Sequence, residues 1–474
     1  MRHPNTYAGK KVVVLGLAKS GLAVSKLFHD FGAKVTVNDV KPREDCPEAG
    51  ELEKLGVRVV CGSHPAQLIR SDVSLVVKNP GIKYSVPAVK KALELGIEVV
   101  TEVEVAAHLF SLPIAAVTGS NGKTTTTTWI GLMLQEAGLA PIVAGNIGTP
   151  LCDAVRNMDG GKWMVLELSS FQLKGTRQFR PNVACLLNIY ETHMDYHGTM
   201  DDYIAAKRKL FANQTEQDTA VLNWDDPVCR RIIESGLTAK VLPFSAKQRL
   251  DRGVFLDFMP DANGEKREMI VYAPGEGELV PIAKVDELGI PGRHNVENAL
   301  AAVAVALSAG AGRAAIASAL QSFRGVEHRL EFVKSANGID VYNDSKATNP
   351  SATVKSLESF NRPIVWVGGG LDRGTEFTAL EALFKERVKA VVVLGQTKDK
   401  IKATAEKAGI KEIHSVAETA NKEIAIQEAA AAAVRLAASG DVILFSPACA
   451  SWDMFPSYEV RGRMFKQAVH NLLS

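Results

Sequence analysis

The sequence predicts an α/β protein of three domains, each built on a largely parallel sheet. Three observations carry this expectation. Short β-branched runs alternate with segments of helical periodicity. The alternation starts afresh at Pro113 and again near Leu330. A chain of 474 residues, at roughly 150 residues per domain, has room for about three. The expected boundaries are 1–110, 111–326 and 327–474.

In the first unit, Lys11–Leu15 is a β-branched strand closed by Gly16. Leu22–Phe31 has helical spacing, and Lys34–Asn38 returns to strand. Val57–Cys61, Leu75–Val77 and Val99–Val100 continue the strands, with a helix at Pro87–Leu95. The second unit opens with the strand Ile114–Val117 and continues with Trp163–Leu168, Val183–Asn188 and Thr219–Asn223. Arg252–Val285 differs: short runs such as Gly253–Phe258 and Met269–Ala273 are split by Gly, Pro and Asp. It reads as a small antiparallel insertion. Asn295–Ser308 follows as an alanine-rich helix. The third unit has strands at Gly338–Tyr342, Ile364–Val367, Ala390–Leu394 and Val442–Phe445.

Composition narrows the function. Hydrophobic residues make up 46% and charged residues 23%, ordinary for a globular protein. The 55 basic and 53 acidic residues leave a net charge of +2, which rules out a strong overall case for nucleic-acid or anionic-membrane binding and leaves a local basic pocket open. Cys46, Cys61, Cys152, Cys185, Cys229 and Cys449 contain no Cys-x-x-Cys pair, so reduced thiols in a cytoplasmic protein are expected. Met1–Lys10 lacks an apolar signal core, and the apolar stretches Ala299–Ala309 and Ala429–Val434 are too short to span a bilayer.

The sharpest motif is Val117–Thr125, which follows an apolar strand and precedes an apolar helix. Gly119 and Gly122 permit a tight turn whose amides, with the helix N-terminus, face phosphate oxygens. Asn121 lies in the same turn. Lys123 would neutralise the β- and γ-phosphates, and Thr124 offers a hydroxyl to Mg²⁺. Val117 stands where the usual pattern has its first glycine. The central domain therefore reads as a P-loop ATPase-like parallel sheet with the antiparallel insertion.

Gly16–Gly21, with Asp39 ending the next strand, resembles a dinucleotide fingerprint and makes the first domain Rossmann-like. Ala18 replaces the glycine that admits a pyrophosphate, which disfavours NAD. Another diphosphate-linked nucleotide, or simply a tight strand–helix turn, remains open. Glu167 ends a strand on the ligand edge of an open α/β sheet and is placed to ligate the same Mg²⁺; a solvated strand-end glutamate is the plain alternative. His193 lies near another strand end, where a second metal or a phosphate contact would sit, whereas His197 reads as structural or surface. Lys207 shares a helix face with Ile204 and Phe211, where a snorkelling stem is the ordinary explanation. In the third domain Tyr342–Pro350, Gly368–Gly374 and Ser446–Asp453 are polar loops following strands. Together they suggest a binding surface, with Arg373 as a cation for a carboxylate.

Gly119–Thr125, Gly145–Gly148, Glu167–Gln172, His193–Asp195, His294–Asn298, His328-Arg329, Asp344–Asn349 and Ser446–Ser451 occur in the order found in Mur ligases. Over essentially its whole length the chain resembles that family. Within it, Asp344–Asn349 and Ser446–Ser451 resemble the members that add D-glutamate to UDP-MurNAc-L-Ala. The resemblance implies three domains, the last Rossmann-like. It implies a monomeric cytoplasmic enzyme of peptidoglycan precursor synthesis, using ATP and two Mg²⁺ ions through an acyl phosphate.

By the same resemblance, Gly119, Asn121, Gly122, Lys123, Thr124 and Thr125 hold ATP, and Asn295, Asn298, Arg329 and Asp344 its nucleoside. Thr124, Glu167, His193 and Lys207 serve Mg²⁺, with Lys207 carrying a CO₂-derived carbamate, which reverses the snorkelling reading. Ala18, Lys19, Ser20, Asp39 and Gly81 contact UDP, and Asn146 the muramoyl-alanine part. Lys346, Thr348, Ser451 and Tyr458 face D-glutamate or the reacting phosphate, and Arg373 stands where many members carry lysine. Lys123, His193, Lys207 and Lys346 are the implied catalytic set.

Three other classes compete. A folylpolyglutamate synthetase would lack the first domain. An oxidoreductase rests on Gly16–Gly21 alone, and a nucleotide-binding switch leaves the third-domain loops unexplained.

Overall fold

The computed structural model describes residues 1–156, 160–260, 263–419 and 421–473. Among them the strands form three sheets, of five, nine and six strands. The chain divides into two compact units, Met1–Glu287 with Glu297–Gln321, and Leu288–Val296 with Ser322–Ser474.

The first sheet holds β1 (Lys11–Leu15), β2 (Lys34–Asp39), β3 (Arg58–Cys61), β4 (Val73–Lys78) and β5 (Val99–Val100). Its order is β3-β2-β1-β4-β5, all parallel. Val12 and Val14 pack on one face, Val13 and Leu15 on the other. Burial on both faces explains the unbroken apolar run. The order reverses beside β1, where the Gly16 turn leads into the helix Lys19–Asp30. That crevice, outside the strands' carboxyl ends, is where open α/β sheets take ligands.

The second sheet begins with β6 (Ile114–Thr118), β7 (Pro141–Gly145), β8 (Trp163–Glu167), β9 (Val183–Leu186), β10 (Thr219–Asn223) and β11 (Lys240–Ser245). It continues with β12 (Gly253–Pro260), β13 (Lys266–Gly275) and β14 (Glu278–Lys284). The last three are the expected antiparallel insertion. They are not a separate sheet: β12 pairs in parallel with β11, so the insertion extends the central sheet. The apolar stretches singled out in the sequence lie in the helices Arg293–Ser308 and Lys422–Leu436. Among the described residues no helix is long and apolar enough to cross a membrane.

The third sheet, in the second unit, contains β15 (Glu331–Ala336), β16 (Ile339–Asn343), β17 (Ile364–Gly368), β18 (Val388–Val393), β19 (Glu412–Ser415) and β20 (Val442–Phe445). Its order is β15-β16-β20-β17-β18-β19, parallel except for the β15–β16 hairpin. Val365 and Val367 face one core, Ile364 and Trp366 the other. The loops after β16, β17 and β20 emerge at the carboxyl ends of neighbouring parallel strands, which brings all three polar loops of the sequence to one sheet edge.

Candidate active site

β6 delivers the chain into the glycine loop, and the helix Lys123–Glu136 leaves it. Gly122 has φ of +84°, and a Cβ there would lie 2.2 Å from Asn298 Oδ1. No side chain fits, so the loop backbone closes directly on Asn298. Asn121 N–H donates to Asn188 Oδ1 at 2.9 Å, and Ser120 Oγ meets Tyr203 Oη at 2.8 Å.

Two amines converge on this loop. Lys123 Nζ donates to the carbonyls of Gly119 (2.8 Å) and Ser120 (3.0 Å). Lys207 Nζ donates to the same Gly119 carbonyl at 2.8 Å and meets Thr118 Oγ1 at 3.2 Å. Lys207 is 1% exposed, so its amine does not snorkel to water. Burial first, and the charge of Lys123 second, hold that amine well below the ordinary lysine value. The uncharged, nucleophilic form of the amine is favoured there. The amine lies 4.9 Å from the Tyr203 ring centroid.

Glu167 ends β8 at 1% exposure. Its Oε1 accepts from Asn146 Nδ2 at 2.7 Å, while its Oε2 is buried without a hydrogen-bond partner. A buried carboxylate oxygen left unpaired is costly, and a cation is the partner that would satisfy it. Asn146 is also held by its backbone N–H on the Glu167 carbonyl at 2.9 Å. His193 adopts a left-handed backbone, φ +60°, at the start of the short helix Met194–His197. Burial and then the Lys123 charge lower its pKa, so the imidazole is neutral and free to ligate at pH 7. His193 and Lys207 lie within electrostatic reach of each other, as do Lys207 and Glu167. Thr124 and Thr125 are buried in the first helical turn. Among the described residues no three His, Cys, Asp or Glu side chains converge as a metal cluster. The groups here that could hold a cation are the Glu167 carboxylate, the His193 imidazole, the Thr124 hydroxyl and Lys207.

In the first sheet's crevice, Asp39 Oδ2 accepts from Leu17 N–H (2.7 Å) and Oδ1 from Lys41 N–H (3.0 Å). Ser20 Oγ donates to Asn79 Oδ1. Ala18, Lys19 and Gly81 are exposed. A Cβ on Gly21 would sit 2.0 Å from the Gly16 carbonyl oxygen, so glycine there lets the helix pack against the strand.

The second unit gathers the remaining candidates around Asp344. Its carboxylate accepts from Leu330 N–H at 3.2 Å, Ser446 Oγ at 2.9 Å and Ser356 Oγ. Burial pushes it up to about 6 against those bonds. Asp344 thus ties the 344–349 loop to the 446–451 loop. Arg329 Nε is buried without a partner, and Asn295 Nδ2 donates to the Pro291 carbonyl at 2.6 Å. Lys346 Nζ lies 5.4 Å from the Tyr458 ring centroid. Thr348 and Arg373 are exposed, Ser451 is buried, and the Arg373 guanidinium stacks over Trp452 at 4.7 Å.

Sequence reasoning missed Tyr203, Phe171 and Arg461. Phe171 meets His193 edge-on at 4.9 Å and stacks on His197 at 5.6 Å. His197 is structural: its ring is held between Asp202 Oδ2 (2.7 Å) and Ser170 Oγ (3.0 Å). Arg461, fully buried, donates to the carbonyls of Ser345 (2.9 Å) and Cys449 (3.0 Å), bracing two of the polar loops from below. The only signal for it was a charged residue on the inward face of the last helix, Tyr458–Leu472.

Known proteins match this chain from end to end. Three family models cover it: the MurD-like N-terminal domain of Mur ligases over residues 10–101, the Mur ligase middle domain over 117–306, and the Mur ligase glutamate ligase domain over 328–449. The UDP-N-acetylmuramoylalanine–D-glutamate ligase of Geobacillus kaustophilus is 48% identical over 473 residues, all of both chains. The protein of the same name from Bacillus subtilis is 44% identical over 97% of each chain. Among solved structures, MurF from Acinetobacter baumannii aligns with a TM-score of 0.59 at 20% identity, covering 97% of this chain and 93% of that one. The UDP-N-acetylmuramate–alanine ligase of Thermotoga maritima aligns with a TM-score of 0.57 at 22% identity, covering 98% and 99%. These structures share the three-domain α/β fold.

Proposed function

The chain belongs to the Mur ligase family, and on that premise we propose that it joins D-glutamate to UDP-N-acetylmuramoyl-L-alanine at the expense of ATP. The observation that carries this reading is the convergence of Lys123 and Lys207 on one carbonyl of the phosphate loop, near the unpartnered oxygen of Glu167. The acceptor and donor are those in the names of full-length relatives. The setting is the cytoplasm, in peptidoglycan precursor synthesis.

The chemistry divides into two transfers. A carboxylate oxygen of the alanyl substrate takes the γ-phosphoryl group, and ADP leaves. The D-glutamate amine then attacks the acyl carbon, and phosphate departs with the collapse of the tetrahedral intermediate. Each transfer depends on position and on neutralised charge. Gly119–Thr125 wraps the phosphates, and Lys123 exchanges its two carbonyl partners for phosphoryl oxygens. Asn298 of the first unit, and Asn295, Arg329 and Asp344 of the second, are the residues assigned to the nucleoside. Ala18, Lys19, Ser20, Asp39 and Gly81 take the UDP end, and Asn146 the muramoyl-alanine part. Lys346, Thr348, Ser451 and Tyr458 face D-glutamate or the reacting phosphate, and Arg373 offers a cation to the D-glutamate carboxylate.

The hard oxygen of Glu167, the neutral imidazole of His193 and the hydroxyl of Thr124 fit Mg²⁺, which when bound offsets phosphate charge. Lys207 fits a CO₂-derived carbamate because its amine is buried where the uncharged form is favoured, and the modified side chain would bring anionic oxygens to the same ion. Mass-spectrometric product analysis across a panel of L- and D-amino acids tests the assignment. D-glutamate should be the acceptor turned over fastest; a far faster alternative would overturn it.

A further inference from the structure

Lys78 ends β4 at 1% exposure, and the proposed reaction gives it no task. Its Nζ donates to the carbonyl oxygens of Ile82 (2.9 Å), Pro80 (3.2 Å) and Asn79 (3.4 Å). The Tyr196 hydroxyl lies 3.2 Å away and itself donates to Pro80 O at 3.0 Å, with Ile82 O at 3.3 Å. The rings of Tyr84 and Tyr196 flank the amine at 4.8 and 5.8 Å. Burial, with the nearby Lys174 charge second, lowers this amine to about 7. Charged or neutral, it keeps N–H groups for the carbonyls.

The turn Asn79–Ile82 is therefore closed from two sides. Its own bond runs from Ile82 N–H to Asn79 O at 3.0 Å. Three of its carbonyls are turned inward, while Gly81 stays exposed beside the crevice. The same turn holds Ser20 through Asn79. An anionic ligand approaching a turn whose carbonyl oxygens face away meets less repulsion. The two holding groups lie in one compact unit but within the spans of different family models, 10–101 and 117–306. Tyr196 lies on the helix Met194–His197, and its ring meets Phe171 at 4.5 Å; Phe171 meets His193 at 4.9 Å.

We infer that Lys78 and Tyr196 are positioning residues: they hold the Asn79–Ile82 turn in the shape that receives the diphosphate-linked substrate and fix that turn against the His193 helix. The inference rests on the proposed reading of the first-domain crevice. It adds a tie between the donor pocket and the phosphate-transfer site, built from residues that need not touch substrate.

Removing the Tyr196 hydroxyl leaves its ring on Phe171, so the transfer site stays packed while the turn loses a donor. Losing one hydrogen bond of this kind weakens the preorganised turn about fivefold in affinity. The test is calorimetric titration of the full-length protein with UDP-MurNAc-L-Ala, without ATP or D-glutamate, together with KM for all three substrates and Tm. Tyr196→Phe should raise Kd and KM for the UDP substrate about fivefold, leaving kcat, Tm and the KM values for ATP and D-glutamate as in wild type. Lys78→Met should raise the same two constants further. Wild-type affinity in Tyr196→Phe overturns the inference, even if Lys78→Met fails to fold. A parallel rise in all three KM values with a lower Tm also overturns it, because that marks general loosening. Wild-type protein that does not bind the UDP substrate removes the crevice reading itself, and the inference with it.

Discussion

Lys207 shows what one residue carries. Its amine is buried and sits near Lys123, a placement that favours the uncharged form. Stability alone would favour an apolar residue there, so the lysine points to chemistry at Nζ. Lys207→Ala is expected to lose about 100-fold or more in kcat, the scale seen when a preorganised charge at a transferring group is removed. Formate or acetate should restore part of the rate by replacing carbamate oxygens. An active Ala variant, with no extra mass on wild-type Lys207 in bicarbonate buffer, would contradict the proposed role. Lys123→Ala should be at least as damaging, measured as phosphate release at saturating ATP. Arg373 makes a softer prediction. Its guanidinium stacks on Trp452, which a lysine cannot reproduce. Arg373→Lys should raise KM for D-glutamate about twofold, because the ammonium keeps a cation–π contact but loses the planar stack, and leave KM for ATP unchanged.

Between helices, the informative group is Glu102. It opens the helix Glu102–Ala107, and its Oε1 accepts from Cys152 N–H at 2.8 Å in the helix Leu151–Arg156. Burial raises its pKa from 4.5 to about 7. The folded state therefore holds this proton between those values while the unfolded state does not. The stability contribution is fully present below about pH 4.5 and is lost as pH rises through about 7. Glu102→Gln keeps the acceptor and removes the charge. It should stabilise the protein by roughly 1–3 kcal/mol at pH 8 and change little at pH 4.5. Denaturant melts at the two pH values check this; equal effects at both would contradict it. Elements were legible wherever burial on both faces made a continuous apolar run, as in β1, β6 and β20. β7, β11, β14, β15 and β19 were not. Their residues are only partly buried at several positions, and their place is set by the neighbouring strand. Leu187 and Asn188, expected in β9, leave it because Asn188 Oδ1 receives Asn121 N–H and holds the phosphate loop.

In the whole molecule, the three sheets followed from the alternation of strand and helix. The continuity of the insertion with the central sheet did not, because it depends on a short β11–β12 pairing. Contiguous motifs were readable as structure: a loop such as Gly119–Thr125 carries its tight strand-to-helix turn in local spacing. Residues joined by long-range contacts were not. Tyr203 reaches Ser120 across 83 positions and Lys78 reaches Tyr196 across 118, so no local pattern marks them. The molecule carries a glycine loop before a helix, a crevice at the order reversal of the first sheet and three polar loops on one edge of the third sheet, to which the proposed three-substrate ligation assigns phosphate, UDP and D-glutamate. The most direct test is phosphate release from ATP and Mg²⁺ with UDP-MurNAc-L-Ala, in the presence and absence of D-glutamate. Sustained release that requires both is the predicted result. Release at the same rate with neither substrate, the behaviour of a plain ATPase, would contradict it.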